Sequence, residues 1–292
     1  MVFSLASLVA AAPSFGGPTR EWTKVGEGIL GGISGCALAT HAADRTEFLA
    51  VHDNKKAGEP RLAWITVTGA KTEAKELAWP AGKEEPVDLE SVSAVPGKAG
   101  EFVALASAGR LFHVAVANGS VTLLGDPIDM PRPERPEKPN YEGFTLQVLG
   151  GSLVAVWADR GDGAAPATLF WGPFDLSTGA TLEDHATVSV PFPPAATTRD
   201  VSDLFLDTCG VLWGAAASDP GDDGPFESAV YVLGTLRKTE KKGFRFQPNP
   251  ALTRVRSFAR KVEALALVHG AEGGTAFGSD DENLGGAFLF DD

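Results

Sequence analysis

Carboxylates recur in this sequence at the heads of short apolar runs. Val262-Glu263-Ala264-Leu265 opens the last run, and Leu89-Glu90-Ser91-Val92 and Tyr141-Glu142-Gly143-Phe144 repeat it upstream. Serine stands in the same place in Ile33-Ser34-Gly35-Cys36 and in Val201-Ser202-Asp203-Leu204. A second polar set closes the next apolar run of each unit: His52-Asp53-Asn54, Ser107, Asp159-Arg160, Ser218-Asp219 and Ser279-Asp280-Asp281. Carboxylates brought together cannot all stay ionised without compensation. Arg110, Arg160, Lys55 and Lys261 are available for that, as are raised pKa values or a bound cation. Oxygen donors without cysteine or paired histidine suit calcium or magnesium rather than zinc. Glu90, Glu142 and Glu263 are therefore the candidate metal ligands, with calcium as the expected ion. Asp53, Asp159 and Asp280 are candidate bases that would activate water beside it. Ser34, His52, Arg110, Trp157, Arg160, Ser202, Asp203, Asp219 and Asp281 complete the expected site. The same residues have a plainer use, since polar side chains at strand ends also bond backbone groups and loop acids are commonly solvated.

These positions meet only if the chain repeats. The second residues of the five heads are 34, 90, 142, 202 and 263, in steps of 56, 52, 60 and 61. Short β-rich runs at a period of this size are the mark of propeller blades. Each unit continues with a second run, such as Glu101-Phe102-Val103-Ala104-Leu105, and a third, such as Arg110-Leu111-Phe112-His113-Val114. Outer strands are expected at 72–79, 120–124, 187–190 and 243–247. The fifth unit reaches Asp292 without an outer strand, and the strand-like run Thr19 to Val25 can supply one. The expectation is an all-β, five-bladed β-propeller, one domain over residues 1–292, closed by an N-terminal strand that completes the last blade. In that fold the heads of the inner strands and the ends of the second strands open on one mouth.

Composition narrows the function. A formal net charge of -13 argues against a nucleic-acid backbone or an anionic membrane as partner. Two cysteines, Cys36 and Cys209, are too few for a disulfide framework. The sequence has no Gly-x-Ser-x-Gly elbow, no phosphate-binding Walker loop and no His-Glu-x-x-His. Residues 1–17 are small and apolar but lack a basic leader, which points to a cytoplasmic protein, with export through an atypical signal as the alternative.

The units around Glu90, Glu142 and Glu263, with Gly278-Ser279-Asp280-Asp281-Glu282-Asn283, resemble those of bacterial phytase-like and esterase-like propeller domains. The five-unit count is also similar to that of the calcium-dependent apyrase propellers. That resemblance implies a central calcium ringed by acids and a small-molecule or phosphorylated ligand whose phosphoester or phosphoanhydride is hydrolysed at the mouth. Ser34 and Ser202 depart from an all-acid ring. The competing expectations are a non-catalytic propeller that binds a small ligand or protein, and a metal-independent enzyme with Glu90 and Glu263 as acid and base.

Overall fold

The computed structural model describes residues 21–291, apart from 135–137, 164, 195–196, 241–242 and 269–272. The expectations for residues 1–17, and for Thr19 and Arg20 in the closing strand, lie outside it. Five antiparallel sheets follow one another along the chain. The chain enters through β1 (Thr23–Lys24). Blade 1 is β2 (Gly35–Ala42), β3 (Arg45–Val51), β4 (Leu62–Thr68) and β5 (Lys71–Leu77). Blade 2 is β6 (Leu89–Ala94), β7 (Glu101–Ala106) and β8 (Arg110–Ala117), with β9 (Ser120–Leu123) and β10 (Ile128–Asp129) both paired to β8. Blade 3 is β11 (Tyr141–Leu149), β12 (Ser152–Asp159) and β13 (Ala167–Asp175), with β14 (Gly179–Ala180) and β15 (Asp184–Val188) on β13. Blade 4 is β16 (Thr198–Leu206), β17 (Val211–Ser218), β18 (Ser228–Lys238) and β19 (Phe244–Phe258). Blade 5 is β20 (Val262–Val268), β21 (Gly274–Asp280) and β22 (Gly286–Asp291), and β1 completes it by pairing Thr23 with Phe288 and Lys24 with Ala287.

The ring closes through the inner strands. β2 packs on β6 and on β20, β6 on β11, β11 on β16, and β16 on β20. A blade of this kind is covered on both faces, so its middle strands read as continuous apolar runs. Along β3, Phe48 and Ala50 pack toward blade 5 and Leu49 and Val51 toward blade 2, as a period of two requires. Phe48 lies 5.2 Å from Phe288 and 5.7 Å from Phe290, ring to ring, between the first and last blades. The outer strand β5 is mostly exposed. The outer strand of blade 4 runs from Phe244 to Phe258, far beyond the expected 243–247. Its two prolines, Pro248 and Pro250, fall where its pairing with β18 is irregular, as an edge strand tolerates. Both cysteines are free, Cys36 buried and Cys209 exposed. No helix among the described residues is long and apolar enough to cross a membrane.

Candidate functional site at the propeller mouth

A recurrent β-bulge aims the glutamates. Leu89 pairs with Ala106 and Ser91 with Leu105, so Glu90 has no partner across the strand. Glu142 is skipped in the same way between Tyr141 and Gly143, and Glu263 between Val262 and Ala264. An extra residue in one strand bends it and turns a side chain out of the pleat. In each case the turned side chain is a carboxylate at the channel end of its blade. Blade 4 has a longer irregularity at the same level, between Arg199 and Asp203.

That irregularity delivers a cation to the axis. Arg199 Nη1 lies 3.1 Å from Glu142 Oε1 and 2.7 Å from Glu263 Oε1, and Nη2 lies 2.5 Å from Asp219 Oδ2. Arg160 Nη1 adds a contact of 2.7 Å to Glu142. Lys261 Nζ is 3.2 Å from Glu263 and also pairs with Glu282. Burial works against the charge on Arg199, but Glu142, Glu263 and Asp219 hold it firmly protonated. Burial pushes Glu263 up to about 8, against the pull of Lys261 and Arg199. Asp280 is pushed by burial to about 7, with Lys261 3.9 Å away opposing the shift. Glu142 and Glu263 are only 2 % and 3 % exposed. Two of the three glutamates expected to hold a metal are thus engaged by a guanidinium. This clasp links blades 3, 4 and 5 at the mouth.

The third glutamate is different. Glu90 is 8 % exposed, and its carboxylate has no hydrogen-bond or ion-pair partner among the described residues. Burial raises its pKa well above the usual range, and Glu142 and Glu263 add to the shift. One oxygen each of Asp53, Asp88 and Glu90 lies within 4.8 Å of the other two. Calcium–oxygen distances of about 2.3–2.6 Å put two ligands across one ion about 4.6–5.2 Å apart, so this spacing fits. Burial raises the Asp53 pKa, with Lys55 opposing the shift. Lys55 Nζ, on a 63 % exposed side chain, sits 3.0 Å from Asp88. Ser107 Oγ donates to the other Asp88 oxygen at 2.5 Å.

The remaining candidates divide. Arg160 pairs with Glu142, and Asp219 with Arg199, at the mouth. Asp280 is at the mouth but 1 % exposed, wedged against Gly32, where a Cβ would come within 2.0 Å of its carboxylate. Asp159 caps the amides of Asn140 and Gly161 at 2.7 and 3.2 Å, which is structural work. Asp281 accepts from the Lys261 amide at 2.8 Å and from Ser279 Oγ at 2.9 Å. Ser34 is buried at the head of blade 1, and Ser202 Oγ donates to the Val262 carbonyl at 2.8 Å.

Four expectations need correction. His52 turns away from the axis into a cleft between blades 1 and 5, with Nδ1 2.5 Å from the Gly32 carbonyl. Its neighbours in β3 on the same face, Ala50 and Phe48, already point toward blade 5, so alternation dictates this. Arg110 is on the mouth face but is held by Glu84 at 2.8 Å and Asp129 at 3.0 Å, among the outer strands. Trp157 is fully buried in the layer between blades 2 and 3, stacked 5.7 Å from Phe170. Asp203 lies deeper, inside the channel wall, accepting from the Leu265 amide at 2.7 Å, the Leu204 amide at 2.8 Å and Ser91 Oγ at 2.9 Å.

Arg199 is the residue the repeat alignment passed over. It sits three positions before the aligned head at Ser202, where only the irregular pairing of blade 4 shows that the chain faces the axis; Asp88 adjoins the head at Glu90. No family model matches the chain, and no curated protein matches it in sequence. Solved structures do resemble it. A GH32 β-fructofuranosidase from Bombyx mori aligns with a TM-score of 0.52 and 11% identity over 94% of this chain and 62% of that one. An α-L-arabinofuranosidase from Lactobacillus brevis gives 0.51 and 7% identity over 91% and 90% of the two chains. An endo-arabinase from Bacteroides thetaiotaomicron gives 0.49 and 8% over 92% and 96%. At these identities the likeness shows the propeller fold alone. These three neighbours are glycoside hydrolases, a glutaminyl cyclase from Myxococcus xanthus also resembles the chain, and the expected likeness to phytases or apyrases finds no support among them.

Proposed function

We propose that the mouth binds a divalent cation of the calcium class through Asp53, Asp88 and Glu90, and that the bound ion holds an oxyanion-bearing small molecule for hydrolysis, a phosphoester or phosphoanhydride being the first candidate. One observation carries the reading: Glu90 is a nine-tenths buried carboxylate with no partner, turned by a bulge toward two more carboxylates. Its oxygens are left open to an incoming group, and a hard cation is the group that three oxygens at this spacing suit. When bound, such an ion supplies Lewis-acid polarisation of the ligand's oxygen and a more acidic water. Asp53 would accept a proton at the ligand side, and Arg160, 29 % exposed, would offer a second contact to an anion.

A glycosidic acid–base pair, suggested by the fold neighbours, is less well served. Carboxyl groups in such pairs stand about 5–5.5 or 6.5–9.5 Å apart with the sugar or water between them. Of the expected pair Glu90 and Glu263, Glu263 is already bound by Arg199 and Lys261 and is only 3 % exposed, which leaves little access for a sugar or water. A non-catalytic propeller that binds a small ligand or a protein on the same face would show no turnover.

Calorimetric titration with calcium tests the site, and phosphate release from nucleotides and p-nitrophenyl phosphate, with and without EDTA, tests the chemistry. Heat on titration that is lost in Glu90→Gln supports the site. No heat and no change in melting temperature overturn it. Binding without EDTA-sensitive release leaves the cation site and removes the phosphohydrolase.

A further inference from the structure

We infer that the propeller carries a second ligand site at the far end of its channel, shaped for a neutral, apolar small molecule. A cavity of about 380 Å³ lies there, and all five inner strands line it: Leu38 stands in its wall from blade 1, Val92 from blade 2, Leu146 from blade 3, Leu204 from blade 4 and Leu267 from blade 5. That volume is in the range of small-molecule pockets, and an apolar cavity of roughly 150 Å³ already admits benzene. None of the lining residues belongs to the cation cluster, so the site is independent of that reading. The inner strands run away from the mouth, and a layer of hydrogen bonds just past their heads forms the floor between the two ends. Ser91 Oγ donates to Asp203 at 2.9 Å and accepts from the Phe144 amide at 3.0 Å, and Asp203 accepts from the Leu265 amide at 2.7 Å. Blades 2 to 5 are joined in that layer. At the other end the cavity reaches Gly97 and Thr208, in the turns that lead from inner to second strands.

The lining defines the occupant. Among the described residues no charged side chain lines the cavity. Its polar side chains are spent on the backbone. Ser93 Oγ accepts from the Leu146 amide at 2.9 Å, and Thr145 Oγ1 from the Leu206 amide at 3.1 Å. Gln147 Nε2 donates to the Leu206 carbonyl at 3.2 Å, and its Oε1 accepts from the Val148 amide at 2.9 Å. The Cys36 thiol is also in the wall, and burial raises its pKa well above the usual thiol range, so it adds no charge. An ionic ligand would lose its hydration here without gaining a partner. An apolar one gains by leaving water.

Two dyes test the site. N-phenyl-1-naphthylamine is neutral and brightens in apolar surroundings, and 1-anilinonaphthalene-8-sulfonate is the same ring system with a negative charge. The neutral dye should bind with a stoichiometry of about one, with enhanced and blue-shifted emission, and should raise the melting temperature. The sulfonate should bind about tenfold more weakly or worse. Leu267→Trp fills the cavity from a half-buried position on β20 and should abolish binding of the neutral dye. Val255→Ser, exposed on the outer strand β19, should change nothing, which separates the cavity from adsorption at the surface. Should Leu267→Trp melt well below the parent, Ala94→Phe on blade 2 fills the cavity from another wall and is read in the same way. No response to the neutral dye, equal binding of the two dyes, or binding that survives a well-folded cavity-filling variant overturns the inference. The cation site at the mouth stands or falls by its own titration.

Discussion

Arg199 on blade 4 places Nη1 2.7 Å from Oε1 of Glu263 on blade 5, and both side chains are almost wholly out of solvent. A single guanidinium nitrogen also touches Glu142 of blade 3, so three blades meet in one ionic contact. Removing one partner of a buried ion cluster leaves the others uncompensated, at about 3–5 kcal/mol. Arg199→Met should therefore lower unfolding stability by that order at pH 7, read from the urea midpoint with an unchanged slope. A loss under about 1 kcal/mol would mean that the clasp is solvated and does not hold the blades.

The same cluster sets an unusual pH dependence. Glu263 and Asp280 are raised to about 8 and about 7 by burial, from ordinary values of 4.5 and 3.8. Between those limits the folded protein holds more protons than the unfolded chain, so stability falls as pH rises through this window. Groups shifted the other way, such as Glu47 and Asp219, lose their contribution only near or below their ordinary carboxylate range. The urea midpoint should be higher at pH 5.5 than at pH 8.5, and Asp280→Asn should flatten the slope. A midpoint that rises toward pH 8.5 would show that both acids are ionised throughout.

Fold and site were legible to different depths. The blades announced themselves because a strand covered on both faces must be apolar at every position, as in Phe48-Leu49-Ala50-Val51, and because the heads recur at a steady period. Even the closing strand could be read from a fifth unit that lacked one. The convergence of Glu90, Glu142 and Glu263 followed from that geometry. What the residues do once they meet did not follow. Whether a glutamate is paired depends on which neighbouring residue the bulge turns inward, and pattern matching aligned Ser202 while Arg199 three positions earlier reached the axis. Trp157 and His52 misled for a related reason. Each sits near a strand end that reaches the mouth, yet the parity of a pleated strand sends its side chain into an interblade layer.

Lys55 holds the place that a cation would take on Asp88, 3.0 Å away, from a side chain that is 63 % exposed. An exposed pair of this kind contributes little to folding, about 0–1 kcal/mol. Lys55→Ala should leave the melting temperature nearly unchanged and tighten calcium binding several-fold, because no positive charge remains to be displaced. Because burial keeps the Glu90 carboxyl protonated well above the ordinary range, calcium affinity should also rise with pH. Calorimetry at pH 6 and pH 8 on both proteins checks the two effects. Calcium bound more weakly by the variant would place Lys55 among the groups that support the site.

Asp203 offers the sharpest separation of structural from functional acids. Its two oxygens accept three hydrogen bonds, joining Ser91 of blade 2, its own blade 4 through Leu204, and Leu265 of blade 5. Asparagine has the same shape but only one acceptor oxygen. In Asp203→Asn that oxygen can keep the Leu204 amide and Ser91, while the new amide group must face the Leu265 N–H, donor against donor. A buried donor left unsatisfied costs about 1–3 kcal/mol. Asp203→Asn should therefore lose stability on that scale, approaching Asp203→Ala, with calcium affinity unaltered. Glu90→Gln should do the opposite, losing calcium while keeping or gaining stability, since it replaces an unpartnered buried acid with a neutral amide. Thermal melts of both variants, with and without calcium, decide it: a stable, calcium-deficient Asp203→Asn would move Asp203 from the channel wall into the site.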